Sequence, residues 1–128
     1  MKSPLECDPE LIEGVLDAAT EVHRELGPGL LESAYERALA HEMQLRSINF
    51  ERQLRVPLEY KGKDLGAGFR ADFVVEGSLL LELKATSEVA PVHIAQVINY
   101  LKLLNIKRGF LMNFSLPLLK QGLKRISI

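Results

Sequence analysis

The sequence predicts a mixed α/β fold of two helices, three strands, a third helix, a fourth strand and a C-terminal helix and strand. Three observations support this prediction. Apolar residues recur at helical spacing up to about residue 46. From Phe50 they alternate with polar residues, as in half-buried strands, and a third helical segment then separates the last strands from the others. This order predicts a mixed sheet covered by helices.

The helices are indicated by start signals and apolar stripes. Asp8 can cap a first helix that begins at Pro9, and the apolar stripe of this helix ends before Gly27-Pro28-Gly29. A second helix is expected over residues 30–46. A third helix, residues 91–104, is apolar on most sides, so we expect it to be buried against the sheet.

Alternating patterns and short apolar runs predict the strands. The first strand contains Pro57, which has no backbone N–H, so we expect this strand at an edge of the sheet. The C-terminal tail is predicted to form a helix followed by a strand. The four strands predicted before this tail are residues 50–60, 65–75, 79–85 and 109–114.

Composition excludes several classes of protein. The 128 residues have the length of one domain, so we expect residues 1–128 to fold as a unit. The single cysteine, Cys7, cannot form a disulfide within the chain, and no apolar run approaches the roughly 18 residues of a membrane span. We therefore expect a soluble cytoplasmic protein. The 16 Lys and Arg against 17 Asp and Glu leave a net charge of −1, so any phosphate binding must come from a local patch.

The second and third predicted strands form a hairpin whose register depends on its loop. A three-residue loop over residues 76–78 would pair Asp72 with Glu82 and Arg70 with Lys84. It would also direct both apolar faces of the hairpin to one core, whereas a two-residue turn would pair Asp72 with Leu83 and separate those faces. We therefore predict the three-residue loop. The two apolar faces are Phe69, Ala71, Phe73 and Val75, and Leu79, Leu81, Leu83 and Ala85.

The predicted pair of Asp72 and Glu82 has two interpretations. Like charges on opposed residues destabilise a strand pair, so a compensating charge is expected. Lys84 and Arg70 could neutralise the acids in a solvated ion-pair network, which is the interpretation that the spacing alone favours. The other interpretation is a divalent cation between the carboxylates, because Mg²⁺ prefers hard oxygen ligands and is often bound by one or two carboxylates.

Several motifs resemble those of a known group of nucleases. Asp72, followed after a hairpin by Glu82-Leu83-Lys84, resembles the PD-(D/E)XK signature of metal-dependent nucleases, with Ala71 in the place of the proline. Residues 29–35, Gly-Leu-Leu-Glu-Ser-Ala-Tyr, are similar to the motif that names the GxxExxY family, a branch of that superfamily. Further segments that resemble this family, in the expected order, are residues 70–72, 82–85, 95–101 and 122–126.

The resemblance implies a restriction-endonuclease-like fold, with a mixed sheet flanked by helices, and hydrolysis of phosphodiester bonds in DNA or RNA with Mg²⁺ or Mn²⁺. It implies that Asp72 and Glu82 ligate the metal, with the carbonyl of Leu83 as a third ligand, and that Lys84 positions the attacking water. A non-catalytic binding or assembly module that keeps the fold is the alternative function, favoured by the near-zero net charge and the small size.

The resemblance also suggests roles for side chains outside the hairpin. Glu32 could add an outer carboxylate, although an acidic residue in a first helical turn is also favoured by the helix dipole. Gln96 and Tyr100 lie four residues apart and share a helix face, where they could contact a substrate phosphate or could simply pack. Tyr35 is interpreted mainly as a packing residue.

A homodimer is a further expectation from the distribution of basic residues. Two copies of the chain could bring six basic side chains into one phosphate-binding surface, although each is also consistent with a solvated face. These residues are Lys102, Lys107, Arg108, Lys120, Lys124 and Arg125.

Overall fold

The computed structural model describes residues 7–128 of the chain. In this part the helices are α1 (Pro9–Leu26), α2 (Glu32–Leu45) and α3 (Pro91–Leu104), with a short 3₁₀ helix at Leu119–Gly122. The strands are β1 (Phe50–Tyr60), β2 (Lys63–Val75), β3 (Leu79–Lys84), β4 (Arg108–Asn113) and β5 (Leu123–Ser127). This order confirms the predicted mixed α/β fold, including the C-terminal helix and strand, and it is consistent with a restriction-endonuclease-like fold.

The five strands form one mixed sheet in the order β1-β2-β3-β4-β5. Neighbouring strands are antiparallel except β3 and β4, which run parallel because α3 crosses between them. The prediction that Pro57 marks an edge strand is confirmed, since β1 lies at one end of the sheet and its pairing with β2 shifts register beside Pro57. The sheet therefore holds β3, with its charged end, at its centre.

The start of α1 agrees with its sequence signals. The Asp8 side chain accepts a hydrogen bond from the Glu10 N–H at 2.9 Å, and Pro9 is the first helical residue. Gly27, with φ of 66°, ends the helix in a conformation that favours glycine. None of the helices within residues 7–128 combines the length and the apolarity that a membrane crossing would need.

The second helix begins two residues later than predicted, at Glu32. The preceding loop is held instead by Tyr35, whose hydroxyl donates to the Gly27 carbonyl at 2.6 Å and accepts from the Leu30 N–H at 3.1 Å. The Tyr35 ring is fully buried and stacks on Phe114 at a centroid distance of 4.6 Å. These contacts confirm the packing role predicted for Tyr35.

The prediction of a single core for the hairpin is confirmed for six of the eight residues and is wrong for Phe69 and Ala71, because the sheet separates two apolar clusters. One cluster lies between the sheet and α1 and α2, and contains Phe73. The other lies beneath α3 and contains Ala71. The switch of face occurs at Asp72, between Ala71 and Phe73, and the neighbouring part of β1 contains Gln53, which has a φ of 52°. Phe69 consequently lies on the α3 side and is 39% exposed.

The third helix is less buried than predicted. Its buried residues are Val97, Tyr100 and Leu101, whereas Val92 and Leu103 face solvent. The helix contacts β1, β4 and β5, and its buried residues form the one face that covers the sheet. Its first turn is capped by a histidine at the third helical position, His93, whose Nδ1 accepts from the Ala90 N–H at 3.1 Å.

Candidate active site

The β2–β3 hairpin has the register that the sequence predicts. Its ladder pairs Val75 with Leu79 and Phe73 with Leu81, which leaves residues 76–78 as a three-residue loop. The Ser78 N–H closes this loop on the Val75 carbonyl at 3.0 Å. The predicted loop parity is therefore confirmed, and Asp72 and Glu82 lie opposite each other one step beyond the last regular pair.

Hydrogen bonds from backbone to side chain replace the ladder at this step. The Asp72 N–H donates to Glu82 Oε1 at 3.1 Å, and the Leu83 N–H donates to Asp72 Oδ2 at 2.9 Å. The two carboxyl groups thus face each other in the space where β2 leaves β3. The predicted pair of Arg70 with Lys84 is not formed, because the strands have already separated and Arg70 pairs with β1 instead.

Burial dominates the electrostatics of the carboxyl pair. Glu82 is only 4% exposed, and burial, followed by the charge of Asp72, raises its pKa to about 9. Burial also raises the pKa of Asp72, although the hydrogen bond from the Leu83 N–H acts in the opposite direction. Without a cation the pair is therefore stable at neutral pH with a proton on Glu82, and two ionised carboxylates here would require a compensating positive charge.

Ion pairs do not supply that charge. Neither Lys84 nor Arg70 forms an ion pair with any acidic residue among residues 7–128, so the predicted ion-pair network is absent there. Lys84 acts only through its field, which opposes the rise in the pKa of Glu82. The ion pairs of this part of the chain are Arg24–Glu21, Arg24–Glu25, Arg46–Glu42 and Arg52–Glu36.

Glu32 lies in the first turn of α2, within electrostatic reach of the pair. Partial burial raises the pKa of Glu32, the Lys84 charge lowers it, and the charges of Asp72 and Glu36 raise it further. The structure thus brings Glu32, Asp72, Glu82 and Lys84 together.

Tyr100 approaches the same pair from α3. It is 3% exposed and its ring contacts Phe69 at a centroid distance of 5.2 Å. Burial, followed by the charges of Glu82 and Asp72, raises the pKa of Tyr100 to about 12, so its hydroxyl stays a hydrogen-bond donor. Gln96 lies one turn earlier and is half-buried, and its side chain makes no hydrogen bond within residues 7–128.

Two further residues contact the site and were missed by the sequence analysis. The Gln53 amide donates to Asp72 Oδ1 at 3.3 Å and also to the Glu36 carboxylate, which in turn pairs with Arg52 at 3.0 Å. The spacing of four residues between Glu32 and Glu36 on one helix could have indicated Glu36. No sequence signal could have indicated Gln53, because its role depends on a left-handed backbone conformation.

The residues of the site fit a small hard cation. Two opposed carboxyl groups offer oxygen ligands, and no Arg or Lys among residues 7–128 occupies the space between them by an ion pair. Within the same residues no group of three His, Cys, Asp or Glu side chains forms a complete metal cage. A site of this composition suits Mg²⁺ or Mn²⁺, which commonly retain water and bind substrate phosphate besides one or two carboxylates.

Comparisons with known proteins agree with this geometry at the level of the family. The model of a family described as the PD-(D/E)XK nuclease superfamily matches residues 9–126, which is nearly the whole chain. No curated protein and no solved structure is similar enough to count as a match.

Proposed function

The chain belongs to the PD-(D/E)XK nuclease superfamily, and we propose that it is a metal-dependent nuclease that hydrolyses phosphodiester bonds in DNA or RNA. The observation that carries this proposal is the opposed pair of half-buried Asp72 and buried Glu82, which lacks an ion-pair partner within residues 7–128 and lies beside Lys84. A carboxyl pair without a compensating charge destabilises the sheet that holds it, and carboxyl groups with strongly raised pKa values are typical of functional sites.

Asp72 and Glu82 are proposed to ligate one Mg²⁺ or Mn²⁺, with the carbonyl of Leu83 as a third ligand. The chemistry that such a cation supplies when bound is a lowered pKa of water and neutralisation of charge on the phosphate. The two opposed carboxylates provide the negative charge that attracts a divalent cation, and the burial of Glu82 strengthens that attraction.

Lys84 is proposed to position the attacking water. It lies two residues after Glu82 on β3, is half-buried, and has no carboxylate partner within 4 Å among residues 7–128, so its ammonium group is available to a water or a phosphate oxygen. A lysine held by an ion pair could not serve in this way without breaking that pair. The field of Lys84 also favours ionisation of Glu82, which cation binding requires.

Glu32, Gln96 and Tyr100 are proposed to complete the site around the substrate. Glu32 adds a third carboxylate from α2 that can orient water. Tyr100 remains protonated because its pKa is raised to about 12, so it can donate a hydrogen bond to a phosphate oxygen. Gln96, on the same face of α3, has an amide free to do so as well.

Membership of the GxxExxY branch is part of the same proposal. The spacing that names the branch falls on Gly29, Glu32 and Tyr35. These three residues have distinct environments: Gly29 adopts a φ of 103°, Glu32 is within electrostatic range of Asp72 and Lys84, and the Tyr35 hydroxyl binds the Gly27 carbonyl at the end of α1. The motif therefore combines a loop that carries α2 with a side chain of the site.

The proposed activity is tested by incubating the purified protein with DNA duplexes, single strands and RNA, in Mg²⁺ and in EDTA. We expect cleavage in Mg²⁺ only. Isothermal titration with Mg²⁺ and Mn²⁺ is the second measurement, and we expect binding that disappears in Asp72→Ala. An inert site in both measurements would instead support the alternative of a binding or assembly module, and a homodimer with a joint basic surface would then be tested by the mass of the protein in solution.

A further inference from the structure

Arg55 of β1 and Arg70 of β2 lie directly opposite each other in the antiparallel pairing. Both residues are exposed. Residues opposed in this way have Cα atoms about 4.5–5.5 Å apart, and like charges at such positions destabilise the strand pair. An anion bound between the two guanidinium groups would offset this repulsion.

No carboxylate of residues 7–128 supplies that anion. The ion pairs of this part of the chain involve other arginines, and the nearest of these on β1, Arg52, is already paired with Glu36 at 3.0 Å. Arg55 and Arg70 consequently hold two positive charges that are free to bind a ligand. The sequence motif that includes Arg70 and Asp72 leaves the function of Arg70 open once its ion pair with the site is excluded.

The arginine pair is adjacent to the candidate active site. Arg70 precedes Asp72 by two residues, which corresponds to roughly 7 Å along a strand. Leu54 and Ala71 pack into the cluster beneath α3, so Arg55 and Arg70 project from the opposite face of the sheet. That face carries α2, whose Glu36 is linked to Asp72 through the Gln53 amide, so the arginine pair lies near Asp72 on the side toward α2.

We propose that Arg55 and Arg70 together bind a backbone phosphate of a nucleic-acid strand, next to the phosphodiester that Asp72 and Glu82 would cleave. This inference rests on the proposed nuclease function and names the substrate contact for it. Guanidinium groups bind phosphate oxygens through paired N–H donors, and two such groups can enclose one phosphate. The contact reads the backbone and not the bases, so it positions the strand without selecting a sequence. It also gives a chain of net charge −1 the local basic patch that phosphate binding requires.

The test measures binding in EDTA, where the substrate stays intact. Labelled DNA duplex, single-stranded DNA and RNA are titrated with the natural protein and with the double variant Arg55→Gln/Arg70→Gln. We expect the double variant to bind at least about tenfold more weakly, and the slope of log affinity against log salt to fall by about one. Its melting temperature should be unchanged or higher, because a repulsive pair has been removed.

The matched control removes the same charge from the same β1–β2 hairpin. Lys61 and Lys63 are exposed and lie near the tip of the hairpin, roughly 20 Å from the arginine pair. We expect Lys61→Gln/Lys63→Gln to bind nucleic acid within about twofold of the natural protein. Equal losses in both double variants would mean that any positive charge serves, and would overturn the proposal.

Two more measurements address a glutamine variant that fails to fold and a site that binds free phosphate. The variant Arg55→Lys/Arg70→Lys keeps the charge but loses the paired donors, so intermediate binding is expected, and it replaces the glutamine variant if that one fails to fold. Inorganic phosphate is titrated as a second probe. Binding of inorganic phosphate that depends on the arginines, together with unchanged binding of nucleic acid, would identify a site for free phosphate and overturn the proposal.

The outcomes also separate this inference from the nuclease proposal. Cleavage in Mg²⁺ with unchanged binding by the arginine variant overturns the phosphate site and leaves the nuclease intact. Binding that depends on the arginines without any cleavage supports the phosphate site and contradicts the proposed nuclease activity. A natural protein that binds neither DNA nor RNA overturns the phosphate site outright.

Discussion

The backbone N–H of Asp72 donates a hydrogen bond to the Glu82 carboxyl group at 3.1 Å, in the position where a regular sheet would place a backbone carbonyl. The Glu82 side chain thereby substitutes for the missing part of the ladder and holds the two strands together as they separate. The same carboxyl group is a proposed metal ligand. A ligand that coordinates a cation must be ionised, and the hydrogen bond from Asp72 favours that form. Burial and the charge of Asp72 compete with it, because both favour the protonated form and together raise the pKa of Glu82.

This competition predicts an unusual pH dependence for the metal-free protein. The folded-state pKa of Glu82 is raised to about 9, whereas a glutamate in an unfolded chain has a pKa of about 4.3. Between these values the folded state keeps a proton that the unfolded state has lost. The contribution of Glu82 to stability is therefore fully present below about pH 4 and is lost as the pH rises toward 9.

Chemical denaturation in EDTA at several pH values measures this contribution. We expect the free energy of unfolding of the natural protein to fall more steeply with pH than that of Glu82→Gln, by up to about 1.4 kcal/mol per pH unit. Added Mg²⁺ should restore stability at about pH 8 in the natural protein only, because the cation favours the ionised carboxylate. Parallel pH profiles of the two proteins would contradict the assigned pKa of Glu82.

Lys84→Ala should abolish most of the cleavage while leaving the metal site intact. Lys84 forms no ion pair with Asp72 or Glu82, so its removal breaks no direct contact of the proposed ligands. We expect the rate of cleavage in Mg²⁺ to fall by about 100-fold or more. Mg²⁺ affinity, measured by titration calorimetry, should change by less than about tenfold, since only the field of Lys84 is lost. Cleavage by Lys84→Ala at the rate of the natural protein would contradict a role for Lys84 in the reaction.

The fold was predictable because its main determinants are local. Asp8 and Pro9 set the start of α1, Pro57 places β1 at an edge, and the loop of residues 76–78 sets the register that opposes Asp72 to Glu82. Each of these depends on a few neighbouring residues.

The details that could not be predicted depend on the backbone of two strands at once. Alternation along β2 predicts one face for Ala71 and Phe73, whereas the structure places them in different clusters, next to the left-handed Gln53 of β1. The pairing of β2 with β3 also ends at Phe73 and Leu81, so Arg70 and Lys84 lie beyond it and do not pair. The alternation of apolar residues along one strand cannot predict where the strand changes face or leaves its neighbour.

Gly122→Ala should be among the most destabilising substitutions in the chain. A Cβ atom at this position would lie 2.2 Å from the backbone oxygen of Asn113, and backbone atoms of a central element cannot move aside easily. We expect a loss of at least about 3 kcal/mol in the free energy of unfolding. Gly14→Ala is the control, because its nearest contact is 3.6 Å and alanine favours the α1 helix, so it should raise stability by about 0.5–1 kcal/mol.

Gln53 should act as a positioning residue for Asp72. Its amide bridges Asp72 and Glu36, and its φ of 52° is a conformation that glycine adopts without strain. Gln53→Gly therefore removes the side chain while relieving the backbone, whereas Gln53→Ala removes the side chain and keeps the strain. Both variants should bind Mg²⁺ about 10- to 100-fold more weakly, as expected for loss of a group that orients a ligand.

Stability separates the two effects of Gln53. We expect Gln53→Gly to match or exceed the natural protein in its free energy of unfolding, and Gln53→Ala to be about 1 kcal/mol less stable than Gln53→Gly. Because the glycine variant isolates the loss of the amide, equal weakening of Mg²⁺ binding in both variants assigns the effect to the contact with Asp72. If only the alanine variant bound Mg²⁺ poorly, backbone strain and not the amide would control the site.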